Sequence, residues 1–347
     1  MKFIFFIVVV IIISCAGSKN SSSQGPAKIE PIFQEYPVNC SIRALEVLDK
    51  DNVWFAGSNN MFGWTNDGST WTIDVVTLNH LELEFRSIAV IPSGVFLLNI
   101  GSPAILLRSK DQGLNWEVVY REDHPDVFYD SMKFWDDQHG IAMGDPTDGC
   151  LSILITNDAG SSWRKLDCAE LPPTFDGEAA FAASNTNIAI AGDHVWLATG
   201  GAKARIFHSP DQGGSWEVFD TPILHGGAMT GIFTVDFYDE MNGVVFGGNW
   251  DEQSINVSNK AITKDGGITW QLINDGKTPG YRSCVQYIPG SEANGIIATG
   301  IPGISYSLNG GKSWQGLDHK YYYTIRMAPL GKVAWLAGKN KIAKMEW

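Results

Sequence analysis

Short apolar runs broken by polar turns fill most of this chain, and no stretch shows helical periodicity. Seven of the runs close on glycine, at residues 53–57, 96–101, 140–144, 195–200, 244–248, 295–300 and 333–338. Another short apolar stretch precedes each, such as 41–45 or 131–135. Six of the seven lead into a turn motif with Asp or Asn first, Gly two residues on and Trp five on. These motifs span 66–71, 111–116, 158–163, 211–216, 265–270 and 309–314. Successive tryptophans stand 45, 47, 53, 54 and 44 residues apart, a spacing that marks a repeat architecture.

Each part of the motif has a physical role. Asp or Asn bonds back to its own backbone and nucleates a tight turn. Gly supplies a positive φ, and Trp opens the returning strand with its ring under the hairpin. Ser or Thr two residues before the Asp (Ser109, Thr156, Ser209, Thr263, Ser307) can bond across the turn. The unit is four short antiparallel strands, the pattern of a propeller blade. Seven glycine-terminated strands predict an all-β, seven-bladed β-propeller of four-stranded blades. Residues 32–36 lie ahead of the first unit and are expected to pair with the incomplete last one, closing the ring.

The motif resembles the Asp-box, or bacterial neuraminidase repeat, S-x-D-x-G-x-x-W. The copies from Ser109 to Trp116, Thr156 to Trp163 and Ser209 to Trp216 carry it best. With the glycine-terminated strands, the pattern is similar to seven-bladed propellers related to photosystem II assembly and stability factors. Many bacterial lipoproteins share it. The resemblance covers about residues 30–347. It specifies a fold and leaves function open, since such repeats serve enzymes and scaffolds alike.

The N-terminus starts Met1-Lys2, followed by eleven apolar residues at 3–13 and then Ser14-Cys15. That apolar core is too short for a bilayer span, which needs about 20 residues, and reads as a secretory signal. Cys15 resembles the lipidated cysteine of bacterial lipoproteins, although Ile13 and Ser14 depart from the usual small pair. The expected organisation is a signal peptide at 1–15, a polar flexible tether at 16–30 and one propeller at 31–347. The resemblance implies a lipid-anchored protein of the bacterial cell envelope. The tether lacks an acidic run, which favours the periplasmic side of the outer membrane. Ordinary secretion with Cys15 discarded is the alternative.

A formal charge of −13 argues against nucleic acid and anionic lipid heads as partners. Cys40, Cys150, Cys168 and Cys284 show no zinc spacing, and no cofactor fingerprint is present. Neither a metal nor a cofactor is expected, and the protein is expected to be a monomer. Cys150 and Cys168 flank the third turn motif almost evenly. Paired strands would bring them face to face, so a disulfide or two buried thiols can result.

Candidate chemistry lies near the central axis. Arg43, Arg86, Lys133, Arg282 and Arg326 enter the innermost strands of five units. The first four precede their Trp by 28, 30, 30 and 32 residues. Such an arc can grip a carboxylate, sulfate or phosphate, an acidic glycan, or an acidic protein segment. The alternative is pairing with carboxylates between blades. His225 and Trp250 add to the opposite side of the opening. Glu178 and Asp145 are the carboxylates that glycosidase logic would use as acid and base. No Phe/Tyr-Arg-Ile-Pro motif precedes the first box, against a sialidase. A non-enzymatic binding or assembly scaffold is the leading expectation, and a glycoside hydrolase or lyase is the alternative.

Overall fold

A computed structural model describes residues 28–78 and 81–347. Cys15, the expected signal peptide and most of the tether lie outside the described residues. Apart from one 3-10 turn at Cys168–Glu170, the regular structure described is all strand.

The strands form six hydrogen-bonded sheets, four of four strands and two of six, where seven separate four-stranded blades were expected. The first and last strands explain the difference. Ile32–Val47 runs 16 residues without a break. Its first part pairs with residues 341–346, and its second part pairs with Val53–Gly57. Val38 and Cys40, both buried, carry the apolar pattern across the joint. The last strand, Val333–Glu346, pairs with Thr324–Met327 at one end and with the first strand at the other. The Trp347 amide donates to the Lys332 carbonyl at 3.1 Å, so the chain end returns to where that strand began. Hydrogen bonding therefore continues from the last repeat into the first, fusing them into one sheet. The second large sheet gains two short strands, Glu178–Ala179 and Gly200–Gly201, beside Thr230–Phe237.

Turn motifs sit where adjacent sheets interlock. The Ser109 hydroxyl donates to Asp111 Oδ1 at 2.9 Å and accepts the Gly113 amide at 2.7 Å. Asp111 Oδ1 in turn accepts the Asn115 amide at 2.8 Å. The hydroxyls of Thr156, Ser209, Thr263 and Ser307 repeat this bonding. In the first copy Asp67, and not Asn66, caps the turn, one residue later than in the other copies. Gly113 and Gly160 have positive φ, and a Cβ on either would strike Phe62 or Phe96 of the preceding unit at 2.4 or 2.3 Å. Each glycine thus serves its turn and lets it press on the neighbouring sheet. The apolar cores lie between such neighbours, as where Phe96, Leu106, Met132, Leu154 and Trp163 pack together.

The innermost strands touch in sequence around an axis: Ile32–Val47, Phe85–Ile91, Tyr129–Phe134, Ile188–Ala191, Thr230–Phe237, Cys284–Tyr287 and Thr324–Met327. The fused sheet sends two of them. The axis has an upper mouth, where these strands begin, and a lower mouth, where they end.

Candidate functional site

A strap at residues 181–185 controls the upper mouth. It belongs to the long connection that stretches the third tryptophan spacing. The connection begins at Cys168, whose sulfur is bonded to Cys150 with Cα atoms 5.5 Å apart. Cys168 heads a 3-10 turn capped by Asp167 and Glu170, not a returning strand.

Arg43 Nη1 donates to the Ala183 carbonyl at 3.1 Å, and Arg86 Nη1 donates to the Ala182 carbonyl at 2.8 Å. Arg86 also bonds Glu84 through Nε at 2.6 Å. Deeper in, Arg326 Nη2 donates to the carbonyls of Ser184 and Asn185 at 3.0 and 2.8 Å. The Asn185 side chain ties the strap to the Met132 amide and the Ile88 carbonyl. Aromatic rings complete the closure. Phe181 stacks on Phe233 at 3.9 Å, Phe233 meets Tyr281 edge-on, and Arg43 lies over Tyr323. Burial, then the neighbouring Arg86, holds the Arg43 guanidinium down at about 10.

The five cations therefore do not form one arc. Arg43 and Arg86 meet at the upper mouth, while Arg326 is buried along the axis. Lys133 stands at the lower mouth, in a cavity of about 510 Å³ that Glu46 also lines. Arg282 is buried apart from them. It bonds the Tyr281 carbonyl and Ser305, beside a cleft of about 400 Å³ near Gln253, Trp314 and His319.

Glu178 is fully engaged. It is buried and accepts from Arg205 Nε at 2.9 Å and Nη2 at 2.6 Å, and from Thr199 at 2.7 Å. This bidentate pair is a structural clasp at the start of the strap. Asp145 accepts the Ala180 amide at 2.8 Å, and burial raises its carboxyl to about 6. Asp130, which sequence reasoning missed, is fully buried with neither carboxylate oxygen hydrogen-bonded. Burial, then Asp145, pushes its carboxyl well above the ordinary range. Burial without partners favours the neutral, protonated form of such a carboxyl. His225 is exposed, its Nδ1 2.9 Å from the Ile223 carbonyl. Trp250 is 41% exposed on a loop tied to Met229. Among the described residues, no three His, Cys, Asp or Glu side chains gather as metal ligands would.

Among solved structures, the chain is similar to YCF48 bound to D1 peptide, with a TM-score of 0.67 and 15% identity over 93% of this chain and 98% of that one. The chain is a β-propeller. YCF48 from Cyanidioschyzon merolae gives 0.62 at 14% identity, over 90% of this propeller and 98% of that chain. The GH74 xyloglucanase from Xanthomonas campestris gives 0.61 at 14% identity, covering 89% of this propeller but 53% of that chain. No protein-family model and no curated protein matches the sequence. At these identities the likeness carries the fold, a propeller resembling YCF48, and not the chemistry.

Proposed function

We propose that this protein is a lipid-anchored envelope propeller that binds a protein partner, without catalysis, at its upper mouth. One observation carries the reading: the strap at 181–185 fills that mouth, and Arg43, Arg86 and Arg326 bond its carbonyls. What remains is a broad surface with exposed Phe175, Trp250 and Tyr321, suited to a polypeptide more than to a small buried substrate. The partly exposed edges of Arg43 and Arg86 would meet acidic groups of the partner or a small anion. That YCF48 is seen with a bound peptide supports the same use of the fold. A lipid on Cys15 and the tether at 16–30 would hold the propeller at the periplasmic face of the outer membrane. The glycosidase alternative loses Glu178 to its clasp with Arg205.

Photo-crosslinking in intact cells tests the docking surface. A crosslinker at Trp250 should give a discrete protein adduct that disappears in Arg43→Glu/Arg86→Glu. One at Leu114, in a turn motif, should give none. Equal adducts from both positions, or no dependence on the arginines, would reject it. Cys15→Ser should move the protein from the membrane to the soluble fraction.

A further inference from the structure

The lower mouth is built differently. Four successive innermost strands end there, and the cavity of about 510 Å³ is walled by Val90, Phe134, Trp135 and Ile190. Two side chains of opposite charge line it, Lys133 and Glu46. Among the described residues, neither has a hydrogen-bonding or ion-pair partner, and they do not pair with each other. Burial lowers the Lys133 ammonium and raises the Glu46 carboxyl from their ordinary values. Asp236 and Arg326 are the other charges that both face this end and are already engaged. Asp236 accepts the Tyr287 amide at 2.7 Å, and Arg326 bonds the strap. Both side chains are half-buried, so their opposite charges line one cavity, remain within reach of water and have no protein partner. A ligand carrying both charges would compensate them together, and the cavity volume lies in the small-molecule range.

We propose that the lower mouth is a binding site for a small zwitterion of the amino-acid or short-peptide class. Its carboxylate would face Lys133, its ammonium Glu46, and its side chain the Trp135–Ile190 wall. This reading does not depend on partner docking at the upper mouth.

The test is calorimetric titration of the purified full chain with free L-amino acids and with dipeptides, each beside its N-acetylated and C-amidated form. At least one zwitterion should bind, and blocking either end should weaken it by tenfold or more. Tight binding only among dipeptides would identify a peptide as the source of the same chemistry. Lys133→Met and Glu46→Gln should each reduce binding by tenfold or more. Both remove a charge that has no protein partner, so their melting temperatures should match the wild type or exceed it, which separates lost binding from lost folding. Absence of binding across the panel, equal binding of blocked forms, or unchanged affinity in either variant would overturn the proposal.

Discussion

The two ends of the axis carry similar residues in opposite states. At the upper mouth Arg43 and Arg86 are bonded to backbone carbonyls of the chain's own strap. At the lower mouth Lys133 and Glu46 share a cavity and bond nothing among the described residues. A cation on an innermost strand is therefore not in itself a ligand contact. What decides is whether another part of the chain arrives with acceptors. At the upper mouth the strap meets the arginine Nη groups, while Arg43 Nε and the buried Asp130 carboxyl stay unpartnered, and the outer surface is left for recognition. The lower mouth is unsatisfied within.

The strongest way to break this contrast is at the clasp that starts the strap. Glu178→Gln leaves the Arg205 guanidinium buried without its counter-charge, and removing one partner of a buried pair costs about 3–5 kcal/mol. Urea unfolding should show a loss of that order. Any glycan-cleaving activity should fall only in proportion to the folded fraction. Selective loss of turnover in a fully folded variant would instead restore Glu178 as a catalytic group.

The sequence made the turn motifs legible because their chemistry is local. Ser109, Asp111 and Gly113 fix their geometry within five positions, and the structure repeats it. Pairing of residues 32–36 with the end of the chain was also readable from the missing strand. The continuity that reduces seven blades to six sheets was not. The strand that supplies the last repeat's missing partner runs on through Pro37 into the first repeat, from Ile32 to Val47. The cation arc failed for a geometric reason. Arg86 is the second residue of Phe85–Ile91, whereas Lys133 is the fifth of Tyr129–Phe134. Three positions along a strand move a side chain by about 10 Å, so the two cations face different mouths despite equal distances to their tryptophans. The strap is Phe-Ala-Ala-Ser-Asn, with no charge or motif to advertise it, because its bonds come from backbone carbonyls. Glu46 and Asp236 were detectable as lone acids within apolar strands, but they were not singled out.

A smaller effect should appear with pH. The Asp145 carboxyl stands at about 6 in the folded chain, above an unfolded aspartate near 4, and Asp130 beside it is raised as well. A raised acid favours the protonated folded state. Its contribution is complete below about pH 4 and is lost as pH climbs through about 6. Asp145→Asn keeps the acceptor for the Ala180 amide but removes the titration. It should match the wild type near pH 4 and exceed it by up to about 2 kcal/mol near pH 8. Denaturation curves across that window check the sign. A wild type that gains on the variant as pH rises would show that Asp145 is compensated by a positive neighbour, making the upper mouth less self-contained than its bonding indicates.

The mildest substitution separates the two mouths most cleanly. Arg86→Ala removes one donor to the Ala182 carbonyl and leaves the Arg43 and Arg326 bonds to the strap in place. A single such bond is worth about 1 kcal/mol, enough to raise local opening roughly fivefold. Hydrogen exchange should therefore quicken by about that factor at the Ala183 and Ser184 amides. Lys133→Met, at the other end of the axis, should leave those amides unchanged, because Lys133 donates to nothing in the strap. If both variants quicken the strap equally, the mouths are coupled through the buried Arg326, which lies beside Lys133 and also holds Ser184. If neither does, the strap is held by its aromatic packing on Phe233 rather than by its arginines.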